Sequence, residues 1–112
     1  MNMNPALDSE PLAVDVSGPG DHVIMAGQPG KIIRVFRMVL TLTRPTEDYA
    51  DVLFKSGDTD LGGPLQLKDG AVITLEMNVR RWIVTAPGED LVINLGGDGR
   101  CSGTLTVLVG DE

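Results

Sequence analysis

The side chains that most often perform chemistry are scarce in this sequence. His22 is the only histidine and Cys101 the only cysteine, and neither lies in a recognisable motif. Nucleophilic catalysis needs a nucleophile, a base and an orienting group, and a structural zinc site needs about four Cys, His or carboxylate ligands. The sequence therefore predicts no enzyme, no metal site and no cofactor. We expect Cys101 to be a small buried residue and His22 to lie on the surface or in a loop.

Two short stretches have the residue types of calcium-binding loops. Asp58-Thr-Asp-Leu-Gly62 lacks the third ligand and the later bidentate glutamate that such a loop requires. Gly96-Gly-Asp-Gly99 has the composition of a repeating calcium-binding turn, but it occurs only once. We predict that both stretches are turns.

Arginine and aromatic residues provide the candidate contact residues. Trp and Arg are the side chains that most often dominate protein interfaces, and Arg80-Arg81-Trp82 places them together. Two interpretations of Trp82 remain open, since it could be an exposed recognition residue or a buried core anchor. Arg34 and Arg37, on a long apolar run, are further candidates for ionic contacts with partners.

Charge is distributed unevenly along the chain. The net charge of −7 argues against non-specific nucleic-acid binding, which needs many Lys and Arg side chains. Residues 1–30 contain acidic residues but no Lys or Arg, and residues 31–44 show the reverse. The acidic segment could pair with the basic one, within one subunit or between neighbours, or these charges could simply be solvated. We expect no signal peptide, because the first residues lack a positive segment followed by an apolar run. We expect no membrane span, because no apolar stretch is long enough.

The longest apolar run, Lys31–Thr43, predicts the central strand. It is rich in β-branched residues and lies between the turn signal Gly27-Gln-Pro-Gly30 and Arg44-Pro45. Its length fits one long strand or two strands joined by a bulge. Both alternating rows of side chains are mostly apolar, which suggests that the core covers one face and that a second sheet or another subunit covers the other.

The rest of the chain predicts short strands separated by turns. Lys68-Asp69-Gly70 is a hairpin signal, and Arg80–Thr85 reads as a strand. We predict an all-β fold, namely a single-domain antiparallel β-sandwich that is jelly-roll-like, with about eight or nine strands. Residues 1–11 are predicted to form a flexible or extended N-terminal arm and residues 12–112 the sandwich domain.

From Lys31 onward, a series of motifs follows in a fixed order: Lys31-Ile-Ile-Arg-Val, Val52–Gly57, Thr59–Pro64, Arg81-Trp82, Thr85–Glu89, Leu91–Leu95 and Ser102-Gly103. This order resembles that of small β-sandwich virion proteins encoded by tailed bacteriophages. Arg81 stands where that pattern usually has Gly, and Ile83 where it has Phe.

The resemblance implies a virion component with no catalytic residues. The function we predict is that of a capsid decoration, or cement, protein that binds the outer surface of a tailed-phage head and stabilises it. Its implied partners are the major capsid protein and copies of itself, as a homotrimer. It would be made in the bacterial host cytoplasm and end on the capsid exterior. The alternative is a fibre or tail-tip module that binds a cell-surface glycan through Tyr49 or Trp82.

Overall fold

A computed structural model describes residues 8–78 and 80–111, which form two antiparallel sheets packed together. Sheet A has the strand order β1-β10-β3-β7, and β8 also pairs with β3. Sheet B has the order β2-β9-β4-β5, and β6 also pairs with β4. The strands are β1 (Glu10–Ser17), β2 (Gly20–Met25), β3 (Ile32–Thr43), β4 (Ala50–Ser56), β5 (Thr59–Asp60), β6 (Leu65–Leu67), β7 (Val72–Leu75), β8 (Ile83–Val84), β9 (Leu91–Leu95) and β10 (Arg100–Gly110).

The core lies between the inner faces of the two sheets, which confirms the predicted all-β sandwich. Alternation along β9 and β10 places Leu91, Ile93, Leu105 and Val107 in this core with essentially no exposure. Cys101 is buried among them, as predicted. The described residues contain no helix that is long and apolar enough to cross a membrane.

A bulge in β3 explains why both of its side-chain rows are apolar. Arg37 lies opposite Thr106 and Val35 lies opposite Val107, so Phe36 is an extra residue on β3. One extra residue exchanges the two faces of a strand. Core residues therefore have odd numbers before the bulge and even numbers after it: Ile33 and Val35, then Met38, Leu40 and Leu42.

The prediction of two strands joined by a bulge is thus confirmed. Both rows of side chains are apolar because each row faces the core on one side of the bulge, so the pattern does not require another surface to cover the outer face. After the bulge, Arg37, Thr41 and Thr43 are exposed on the outer face of sheet A. Ile32 and Phe36 are buried, although they lie outside the main core cluster.

The predicted hairpin at Lys68–Gly70 is wrong. This turn joins β6, which pairs with β4, to β7, which pairs with β3, so it links the two sheets. The Gly70 N–H donates to the Leu42 carbonyl, and the Leu42 N–H donates to the Ala71 carbonyl. These bonds hold the turn against the end of β3, which directs β7 into sheet A.

Three smaller differences concern the two ends of the predicted elements and the position of His22. Glu10 and Pro11, which we assigned to the arm, pair with β10 as part of β1; residues 1–7 of the predicted arm lie outside the described residues. Only Ile83–Val84 of the predicted Arg80–Thr85 strand is a strand. His22 lies in β2 and is half-buried, with its Nε2 2.8 Å from the Gly18 carbonyl oxygen.

Gly103 allows β10 to approach β3 closely. Its φ of +150° lies in a region that favours glycine. A Cβ atom there would overlap the Val39 carbonyl oxygen and stand 3.0 Å from the Leu40 Cα atom. These neighbours are backbone atoms of the central strand, so they cannot move aside without disturbing the sheet.

We expect Gly103→Ala to lower the free energy of unfolding by at least about 2 kcal/mol, because the added methyl group must displace β3. Urea unfolding followed by fluorescence measures this change. Gly63→Ala is the matched control: a Cβ there meets nothing within 4 Å, and its effect should stay within about 1 kcal/mol. Equal urea midpoints for the two variants would contradict the close approach.

A candidate interaction surface at one edge of the sandwich

An apolar groove opens between the two sheets at the edge formed by β6 on one side and by β7 and β8 on the other. Its volume is about 430 Å³. Its described lining contains no charged side chain, and it includes Met38, Phe54, Leu61, Leu65, Val72 and Trp82. We call this feature the edge groove. It is suited to apolar contact, because it offers no charged group to orient a polar ligand.

Exposed apolar side chains concentrate at this edge. Among the described residues, six large apolar or aromatic side chains are exposed, and three of them line the edge groove. Leu65 is 42% exposed, Val72 60% and Trp82 45%. Met77, 43% exposed, follows β7 along the chain. Contiguous exposed apolar surface commonly marks a protein interaction site.

Two hydrogen bonds hold Trp82 at the edge groove. Its backbone N–H donates to the Val35 carbonyl at 2.7 Å, beside the β3 bulge. Its indole Nε1–H donates to the Glu76 carbonyl at 2.7 Å. The only polar group of the indole is therefore used within the chain, and its exposed part can offer only apolar or ring-face contact. Of the two alternatives for Trp82, the structure therefore favours an exposed residue over a buried core anchor.

Arg80 and Arg81 lie in a tight turn immediately before Trp82. The Arg80 N–H donates to Asn78 Oδ1 at 2.9 Å, and the Arg81 N–H donates to the Asn78 carbonyl at 2.8 Å. Arg81 has a φ of +62°, the only positive value at a non-glycine residue in the described chain. This conformation costs a residue with a side chain roughly 1–2 kcal/mol, and it falls where the phage-protein pattern usually has Gly.

Arg34 and Arg37 lie on the outer face of sheet A, whereas Trp82 lines the edge groove. The Arg34 guanidinium donates to the Asp111 carbonyl at 2.7 Å, so it contacts the end of the described chain. Lys31 Nζ lies 2.6 Å from Asp111 Oδ1, and this hydrogen bond lowers the pKa of the Asp111 carboxyl. Arg37 is exposed beside the bulge. Of the residues predicted as contacts, Arg80 and Arg81 lie in the turn that leads into Trp82. The Arg34 guanidinium is bound to a backbone carbonyl of the same chain.

Acidic residues of the first strands pair with basic residues outside 31–44. Asp15 accepts two hydrogen bonds from Arg100, at 2.7 and 2.8 Å, which lower the pKa of its carboxyl. Hydrogen bonds from Asn94 and then from Lys55 lower the pKa of Asp21. Asp15 and Asp21 therefore do not form the pairing with basic residues 31–44 of the same chain that we considered from the sequence.

Sequence reasoning missed the groove lining, namely Leu61, Leu65 and Val72. The mistaken hairpin hid it, because β6 and β7 were expected to pair with each other and leave no opening. Tyr49, the other candidate aromatic residue, is 62% exposed but is not among the described lining residues. Lys68 Nζ lies 4.6 Å from the centre of its ring.

The segments that carry the phage-protein resemblance contact one another around the buried Ser56. Ser56 Oγ donates to Glu89 Oε1 at 2.8 Å and accepts from the Ala86 N–H at 2.9 Å. The buried Thr85 Oγ1 accepts from the Ile33 N–H at 2.9 Å. These residues connect β3, β4 and the loop before β9, so their role in the structure is to hold strands together.

The only histidine and the only cysteine lie in different sheets. His22 lies in sheet B and Cys101 lies in sheet A, where burial raises the pKa of its thiol. No three His, Cys, Asp or Glu residues of the described chain are grouped so that they could hold a metal ion. The chain matches no protein-family model, no curated protein and no solved structure. Its function is therefore inferred from its own residues.

We expect Arg81→Gly to stabilise the fold by about 0.5–1 kcal/mol, because glycine adopts a positive φ without steric cost. Arg80→Gly removes the same charge from the neighbouring residue. It should destabilise the fold or leave it unchanged, because it gains no such relief and adds chain entropy to the unfolded state. Chemical denaturation of both variants measures the contrast, and an Arg81→Gly variant no more stable than Arg80→Gly would contradict it.

Proposed function

We propose that this chain is a structural virion protein: a capsid decoration protein that binds the outer surface of a tailed-phage head and stabilises it. The observation that supports this most is the edge groove, where Trp82 and other apolar side chains are exposed. Arg80 and Arg81 are also exposed, and they immediately precede Trp82 in the chain. Aromatic and arginine side chains are enriched at the energetic centre of protein interfaces. The chemistry of the site is that of contact between proteins.

The strand order is consistent with this class of protein. Strands β1 to β4 alternate between sheet A and sheet B, β7 returns the chain to sheet A, and two further crossings place β9 in sheet B and β10 in sheet A. We infer a jelly-roll-like wrapping, an architecture used by viral capsid domains and also by lectins. Fold does not fix function, so the strand order supports the proposal without selecting between these roles.

The proposed interface includes Arg37, Arg80, Arg81 and Trp82, all exposed on or beside the central strand. Arg34 contributes less in this proposal, since its guanidinium already contacts Asp111. Residues 1–7 would add contacts with the major capsid protein or a neighbouring copy.

A glycan-binding fibre or tail-tip module is the second candidate, and the exposure of Tyr49 and Trp82 is the observation in its favour. Sugar recognition needs aromatic faces together with polar groups that bind hydroxyls. The edge groove has an apolar lining and a Trp82 indole whose donor is already bound. These features favour a protein partner over a glycan.

The decisive experiment adds the purified chain to heads of the encoding phage assembled without it. We expect saturable binding at a fixed number of copies per head, together with a higher melting temperature of the heads. Trp82→Ala should weaken binding at least about tenfold, because a central aromatic contact contributes more than 1.4 kcal/mol. Bound copies are counted by densitometry after sedimentation.

Tyr49→Ala is the matched control, since it removes an exposed aromatic residue away from the edge groove. It should bind heads like the unchanged chain. A variant that lacks residues 1–7 keeps every described strand, so weaker binding by it would assign those residues to the capsid contact. Absence of binding to heads, with saturable glycan binding that Trp82→Ala abolishes, would replace the proposal by the second candidate.

A further inference from the structure

We propose that β1 of one copy pairs with β1 of a second copy, antiparallel and in the register that sets the two Val14 residues opposite each other. Sheet A would then continue from one copy into the next. The contact is symmetric and gives a dimer, rather than the trimer that the phage-protein resemblance implies. This inference goes beyond the proposed function, since it involves neither the edge groove nor a phage head.

β1 is the one long and regular edge strand among the described strands. It is the last strand of sheet A on its side, and it pairs with β10 through eight consecutive residue pairs with no register shift. The other edge strands are β5, β6, β7 and β8, which have two to four residues each, and β2, whose register shifts between Val23 and Met25. Short or irregular edges resist pairing with another chain. β1 has neither of these protections.

The backbone of β1 directs hydrogen-bonding groups away from the sheet. The N–H of Gly18, the residue after β1, donates to the carbonyl of the residue before β10, so the backbone groups of Gly18 point towards β10. Successive residues of a strand point these groups to opposite sides. Ala13, Asp15 and Ser17 therefore direct theirs outward. Pro11 belongs to the same row, where its missing N–H removes no bond to β10. Such a row of groups fits an added β-strand.

One antiparallel register binds the outward N–H groups of Ala13, Asp15 and Ser17 in both copies. When the two Val14 residues are opposite each other, Ala13 lies opposite Asp15 of the partner, and these two residues can exchange both of their backbone hydrogen bonds. Ser17 lies opposite Pro11 of the partner, whose carbonyl can accept from the Ser17 N–H. The residue without an N–H thus lies at the end of the paired segment, where its effect is smallest.

The side chains on the core side of β1 favour the same register. Leu12, Val14 and Val16 face the core, so the apolar positions are arranged symmetrically about Val14. Val14 is buried, whereas Leu12 and Val16 are only partly buried. In the pair, Leu12 lies opposite Val16 of the partner. The core then continues between the copies, and both side chains lose exposed apolar surface.

The charges on the outer face of β1 select among the possible registers. Asp15 accepts two hydrogen bonds from Arg100, and in the proposed register it lies opposite Ala13. A shift that sets the two Asp15 residues opposite each other would bring like charges together, which is unfavourable. The reverse shift sets Asp15 opposite Pro11, and the missing N–H would leave the Asp15 carbonyl without a donor.

Opposite charges at one position test the proposed register. Ala13 is exposed on β1, so Ala13→Asp and Ala13→Lys should both fold, which circular dichroism and thermal melting would verify. Ala13→Asp sets a second carboxylate opposite Asp15 of the partner, and Ala13→Lys sets an ammonium group there. Because the contact occurs twice in each dimer, we expect the dissociation constant to be at least about tenfold higher for Ala13→Asp than for Ala13→Lys. Sedimentation equilibrium at low salt measures both constants.

Thr74→Asp is the matched control, because it adds the same charge at an exposed position of β7, on the opposite edge of sheet A. It should dimerise like the unchanged chain. Amide hydrogen exchange distinguishes strand pairing from contact through side chains alone. The N–H groups of Ala13, Asp15 and Ser17 should exchange at least about tenfold more slowly at concentrations where the unchanged chain is a dimer.

Three results would overturn the inference. They are a chain that stays monomeric up to about 1 mM, equal dissociation constants for the two Ala13 variants, and a dimer in which the three amides exchange as fast as in the monomer. Amides that become slow only when the chain is bound to phage heads would also overturn it, and would assign the edge of β1 to a strand of the major capsid protein.

Failure of this inference is distinguishable from failure of the proposed function. A monomeric chain that still saturates phage heads would refute the strand pairing and leave the proposed function intact. A dimer with slow amides in β1 that does not bind heads would refute the proposed function and support the strand pairing.

Discussion

The pairing of β3 with β10, interrupted by the bulge at Phe36, is the constraint on which the rest of the structure depends. β3 pairs with three strands of sheet A, and the bulge decides which of its side chains enter the core. The same point supports the candidate site, because the Asn78 N–H donates to the Phe36 carbonyl and the Trp82 N–H donates to the Val35 carbonyl. The bulged segment Val35–Arg37 therefore determines both which side chains of β3 enter the core and where Trp82 lies.

Most strands could be predicted from the sequence, since alternation and turn residues locate them within a few residues. Their assignment to sheets could not. Period-two alternation reports which side of a strand is buried, but it does not report which neighbour the strand pairs with. Lys68-Asp69-Gly70 has the composition of a hairpin turn, yet backbone bonds to Leu42 place it at a crossing between sheets. The edge groove follows from that crossing, so its lining was not predictable, apart from Trp82, which was among the candidate contact residues.

The site combines features that serve contact better than chemistry. The Trp82 indole is held in place by its own N–H bond to Glu76, and Arg81 is held in a costly conformation. Strained residues persist where the surrounding structure enforces them, and they concentrate at functional positions. Such a fixed turn loses little conformational freedom when a partner covers it, which favours binding. A decoration protein that must remain attached to a head would benefit from this rigidity.

The central claim is that a protein surface covers the edge groove, and Trp82 can report it directly because it is the only tryptophan in the chain. The measurement is acrylamide quenching of its fluorescence, first for the free chain and then for the chain bound to phage heads. We expect a several-fold decrease in the quenching constant and a shift of the emission to shorter wavelength as the groove is covered. Binding to heads that left the quenching of Trp82 unchanged would show that the chain contacts them through another surface and would contradict the claim.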